Sequence, residues 1–120
     1  MQRILIIDDD DLVLKTFALV VKRAGYDVLT ATGYEEALKI INSERLDLVL
    51  SDIRMPERNG VETIKSIQDA VKKAGYVELP IIFITGYAEM SDELQANFLG
   101  EVLYKPIDVE HLLTTIRDYL

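Results

Sequence analysis

Five residues carry the chemistry this chain can offer: Asp8, Asp9, Asp52, Thr85 and Lys105. Apolar runs lead to them: Ile4-Leu5-Ile6-Ile7 ahead of Asp8, Leu48-Val49-Leu50-Ser51 ahead of Asp52, Ile81-Ile82-Phe83-Ile84 ahead of Thr85, and Val102-Leu103-Tyr104 ahead of Lys105. Gathered carboxylates raise one another's pKa and cost stability, and a divalent cation removes that cost. Mg²⁺, or the similar Mn²⁺, takes hard oxygen ligands: one or two carboxylates, waters and a phosphate oxygen. Asp8, Asp9 and Asp52 supply such oxygens, and a loop carbonyl such as that of Arg54 completes the set. A lysine ammonium suits a carboxylate at rest and a phosphate oxygen afterwards. The Thr85 hydroxyl can donate to that same oxygen. Phosphoryl transfer needs positioning and charge neutralisation more than covalent help. The residue types therefore point to a phosphoryl group on Asp52.

For these side chains to meet, the runs before them must be parallel strands of one sheet, whose carboxyl ends all point the same way. Continuous apolar runs such as Ile4–Ile7 read as strands buried on both faces. Pro56 lacks a backbone N–H, so the strand that delivers Asp52 must end near it. Between the strands lie helical patterns. Asp9 to Ala24 carries Leu12, Val13, Phe17, Val20 and Val21 at helical spacing, with Gly25 as its stop. A more polar strand, Asp27 to Ala31, belongs at an edge. Thr32 and Glu35 have capping-box spacing, so a second helix runs from near Gly33 to about Glu44. Asn59 can cap a third helix, striped by Val61, Ile64, Ile67 and Val71 and ended by Gly75. A short helix is expected from Met90 to Phe98, and Asp108 caps a last one with Leu112 and Ile116 inward. The expected fold is α/β: one doubly wound, five-stranded parallel sheet of flavodoxin-like order 2-1-3-4-5, with five helices on its two faces.

The totals narrow the classes. The chain has 120 residues, enough for one domain with a real core, and 49% of them are hydrophobic. A formal charge of -8 with no basic run argues against direct binding of nucleic acid or an anionic membrane. The absence of cysteine excludes disulfides and thiolate metal sites. The lack of cysteine fits a cytoplasmic location, and Ile4–Ile7 is too short to span a bilayer or serve as a signal peptide.

Four motifs in order carry a resemblance: Ile6-Ile7-Asp8-Asp9, Ser51-Asp52-Ile53-Arg54-Met55-Pro56 with Gly60 beyond, Phe83-Ile84-Thr85-Gly86, and Tyr104-Lys105-Pro106. The chain resembles the receiver domains of two-component response regulators over essentially all of residues 1–120. That resemblance implies an Asp52 phosphoacceptor, fed by the phosphohistidine of a sensor histidine kinase or histidine phosphotransfer domain. It implies Mg²⁺ at Asp9, Asp52 and the Arg54 carbonyl, with Asp8 helping through water. Thr85 and Lys105 would contact the phosphoryl group, and the Lys105-Pro106 bond would be cis. Arg54 and Tyr87, two places after Asp52 and Thr85, would tune its lifetime. Readout would be a shift between two conformations that controls an output partner, with a phosphorylation-dependent dimer as one form. The family's switch aromatic falls at Val102, a departure for which Tyr104, two residues on, is the candidate substitute.

Plainer readings stand beside these. Asp10 and Asp11 read as solvated acids at a helix start. Taken singly, Thr85 is an ordinary residue at a strand tip and Lys105 a surface lysine, His111 is a surface histidine, and Met55 and Met90 are packing residues. Three other functions compete. Asp8-x-Asp10 is similar to the motif of haloacid-dehalogenase-type phosphatases, but that motif wants Thr or Val where this chain has Leu12. A pseudo-receiver would have lost an acid or the lysine, and both are present. A flavodoxin-like carrier would need a phosphate loop where Asp8–Asp11 would repel phosphate.

Overall fold

The structure is a computed structural model that describes residues 1–53, 60–86 and 101–120, with the backbone alone for residues 60 and 61. Five strands form: β1 (Arg3–Ile7), β2 (Asp27–Ala31), β3 (Leu48–Asp52), β4 (Ile81–Thr85) and β5 (Glu101–Tyr104). They pair in parallel in the order β2-β1-β3-β4-β5, as expected, with the more polar β2 at an edge.

Side chains alternate across a strand, so each apolar run serves two layers. Ile4 and Ile6 of β1 join Leu48, Leu50, Ile82, Ile84 and Leu103 on one face. There they meet Leu14 and Val21 of α1 (Asp11–Arg23) and Leu112 and Ile116 of α4 (Val109–Tyr119). Leu5, Ile7, Val49 and Phe83 face the other way. They pack against Ala37 and Ile41 of α2 (Tyr34–Ser43) and Ile64, Ile67 and Val71 of α3 (Gly60–Lys73).

The expected helix count is corrected from five to four among the described residues. The stretch from Met90 to Phe98 lies outside them, as does Asn59.

Helix ends follow local chemistry. Gly25 and Gly75 take φ of +103° and +94°. In each case the glycine N–H and the N–H of the next residue turn back onto the last turn, Gly25 to Lys22 and Tyr26 to Val21, Gly75 to Lys72 and Tyr76 to Val71. That paired pattern satisfies carbonyls the helix would leave open. The start of α2 needs a correction. Gly33 is its N-cap, and Glu36 rather than Glu35 reaches back to Thr32. Because Gly33 is still extended at φ -165°, the helix begins one residue later than the Thr32 spacing implied.

At the amino ends of the strands, long-range polar contacts close the sheet. The Arg3 guanidinium reaches Asp27 at 2.9 Å and Glu44 at 3.0 Å, while its backbone N–H donates to Asp47 at 2.8 Å. The Tyr76 hydroxyl accepts from Leu46 N–H and donates to the Glu44 carbonyl, both at 2.9 Å.

Candidate phosphoacceptor site

The site is built by register. Ile7 pairs with Ser51, so the next residues along β1 and β3, Asp8 and Asp52, emerge side by side. Asp52 pairs with Ile84, which puts Thr85 one step further along β4, and Thr85 pairs with Tyr104, one step before Lys105. Backbone bonds carry the ladder past the last paired residues. Asp8 N–H donates to Ala31 at 3.1 Å, Ile53 N–H to Ile84 at 3.0 Å and Lys105 N–H to Thr85 at 2.8 Å.

What forces a carboxylate into this rim is the strand beneath it. Leu48, Val49 and Leu50 are fully buried, which is worth roughly 5–9 kcal/mol for the three. Asp52 is 1% exposed and Asp8 2%, and burying an ion costs several kcal/mol unless it is paired. Lys105 supplies the pairing: its Nζ lies 3.3 Å from Asp52 Oδ2 and 3.6 Å from Asp8 Oδ2. Burial pushes the Asp8 carboxyl up from its ordinary range. The Asp10 N–H and the Lys105 ammonium pull it down, and the charges of Asp9 and Asp10 push it up again.

Asp8, Asp9 and Asp52 each offer a carboxylate oxygen, and these lie within 4.8 Å of one another. Three carboxylates against one ammonium leave two negative charges, the charge of one divalent cation. All donors are hard oxygens, and exposed Asp9 opens the set to solvent. The residues present therefore fit a divalent ion that keeps waters.

The other expected residues are placed as follows. Thr85 is fully buried at the end of β4, and its hydroxyl donates to the Gly86 carbonyl at 3.1 Å. Val102 sits opposite Phe83, half-buried against the α2/α3 side of the core. Tyr104 is 40% exposed. The Lys105-Pro106 bond is cis. His111 is exposed. Arg54, Met55, Tyr87 and Met90 lie outside the described residues. One residue that the sequence reading set aside takes part: Asp10 donates its N–H to Asp8 Oδ1 at 2.9 Å and caps α1. The run of four acids hid it, although an Asp just ahead of a helical stripe is a cap signal.

The family profile of the response regulator receiver domain matches residues 4–117. The chain belongs to that family. As a receiver domain it is a component of two-component phosphorelay signalling that interacts with a histidine kinase or phosphotransfer partner. It catalyses its own phosphorylation and dephosphorylation rather than turnover of a substrate. Among solved receivers it is similar to the CheY-like protein of Methanospirillum hungatei JF-1, at TM-score 0.83 and 30% identity, covering 98% of this chain and 92% of that one. It is equally similar to TrrA of Thermotoga maritima, solved in complex with Mg(2+)-BeF, at TM-score 0.82 and 30% identity over 100% of both chains. The polar-differentiation response regulator DivK of Brucella anthropi is 32% identical over 98% of this receiver and 94% of its own length. The transcriptional regulatory protein GlrR of Escherichia coli is 35% identical over 98% of this receiver, which spans only 26% of GlrR. No helix among the described residues is long and apolar enough to cross a membrane.

Proposed function

We propose that this receiver takes a phosphoryl group on Asp52 from a phosphohistidine, with Mg²⁺ (or Mn²⁺) held by Asp8, Asp9, Asp52 and the Arg54 carbonyl. The observation that carries the reading is the Lys105 ammonium between the buried Asp52 and Asp8 carboxylates, 3.3 and 3.6 Å away. The Mg(2+)-BeF complex of TrrA supports the same choice of ion. An Asp52 carboxylate oxygen attacks phosphorus, the P–N bond to the donor imidazole breaks, and an acyl phosphate forms. When bound, the cation neutralises charge on the phosphoryl oxygens. Lys105 then moves from carboxylate to phosphoryl oxygen, and the Thr85 hydroxyl turns to donate to another. Arg54 and Tyr87 set how long the group lasts. Because Val102 brings no ring, the readout runs through Tyr104 or with a reduced aromatic movement.

The reading covers residues 1–120 as one receiver domain in the cytoplasm, acting on an output domain or protein and forming a phosphorylation-dependent dimer as one form. Its test is labelling with radioactive acetyl phosphate in Mg²⁺. Asp52→Asn should abolish incorporation and leave the circular dichroism spectrum unchanged. Label at the wild-type level in that variant overturns the assignment.

A further inference from the structure

We propose that Asp10 is a positioning residue for the cation site, tying the setting of Asp8 and Asp9 to the first turn of α1; this rests on the reading of that site given above. Four bonds converge on Asp10. Its N–H donates to Asp8 Oδ1 at 2.9 Å, and its own Oδ1 accepts from Leu12 N–H at 3.0 Å and Val13 N–H at 3.2 Å. Its carbonyl accepts from Leu14 N–H at 2.9 Å. The backbone at φ -87° and ψ 110° satisfies all of them at once.

The two Asp8 oxygens therefore have separate duties. Oδ1 is held by Asp10, and Oδ2 faces Lys105 at 3.6 Å. Asp9 lies between two residues whose backbones are both pinned, so its exposed carboxylate inherits its direction from them. The first turn of a helix is the part most prone to open. Losing the cap lowers the fraction of molecules in which Asp8 and Asp9 are set to bind, and apparent affinity falls by that fraction. Coupling of this kind is reciprocal, so the cation should in turn hold the start of α1 closed.

A long-range charge effect of Asp10 predicts something different, and substitutions separate the two. Asp10→Asn and Asp10→Ser keep a cap and remove the charge, whereas Asp10→Ala removes both. Mn²⁺ affinity is read by electron paramagnetic resonance on the full chain, with amide exchange at Leu12 and Val13 alongside and circular dichroism to verify folding. Asp10→Asn and Asp10→Ser should bind Mn²⁺ within about twofold of wild type and Asp10→Ala about fivefold more weakly, with faster exchange at both amides. Equal weakening in Asp10→Asn and Asp10→Ala overturns positioning in favour of charge. Wild-type affinity in Asp10→Ala overturns it outright. A wild-type chain that binds no Mn²⁺ removes the cation site itself, and this inference with it.

Discussion

Lys105 acts at the resting site as the charge that makes two buried aspartates tolerable. Its reach to both, at 3.3 and 3.6 Å, follows from its place one residue past the last β4–β5 pair. Thr63 shows the opposite situation. It is fully buried in α3, and its hydroxyl finds no hydrogen-bond partner among the described residues. An unsatisfied buried hydroxyl costs about 1–3 kcal/mol, and valine keeps the β-branched shape without it. Thr63→Val should therefore raise stability by about 1 kcal/mol in urea unfolding; an unchanged or lower midpoint would show that the hydroxyl has a use. The meeting of Asp8, Asp9, Asp52 and Lys105 at one rim was legible in the sequence because each follows an apolar run of strand length, and parallel strands carry their ends to the same side. Asp10 was not, because in a row of like acids only the backbone shows which one caps.

At the scale of elements, the two glycine stops were legible because few residues other than glycine tolerate a left-handed turn. A Cβ added at Gly25 or Gly75 would meet nothing within 4 Å, so the cost of alanine there is conformational and not steric. Each substitution to alanine should lower stability by about 1 kcal/mol, part of the left-handed penalty being offset in the unfolded chain; equilibrium unfolding measures it. At the start of α2 the Thr32–Glu35 spacing points to the wrong glutamate, since Glu36 makes the contact. The real bond network holds the Glu36 carboxyl below the ordinary glutamate range, first through the Thr32 N–H and then through the Thr32 hydroxyl. A lowered folded-state pKa gives stability that is present above the unfolded value and lost as pH falls through the folded one. Wild type should thus lose stability relative to Glu36→Gln only at pH values in and below the ordinary glutamate range. Parallel pH curves for the two proteins would count against the contact.

Taken whole, the molecule has two rims with different duties. Strand order and the direction of every strand were legible, because apolar runs alternating with helical stripes leave few topologies open. The polar closure of the amino-end rim was not, since Arg3 meets Asp27 and Glu44, and Tyr76 meets Leu46, across long stretches of chain with no local pattern. About 13 Å of β3 separates Leu48 from Asp52, and sites that far apart with no shared partner act independently. Tyr76→Phe strips the buried Leu46 N–H of its acceptor and should cost about 1–2 kcal/mol of stability. Mn²⁺ affinity in the same variant should stay at the wild-type value, and a parallel fall in affinity would join the two rims. One practical result of all strands running the same way concerns instruments more than cells. Met1 is 93% exposed and precedes β1 at the rim away from Asp52. A chip-bound or dye-labelled receiver coupled through Met1 would keep the rim that holds Asp52 turned toward the solution.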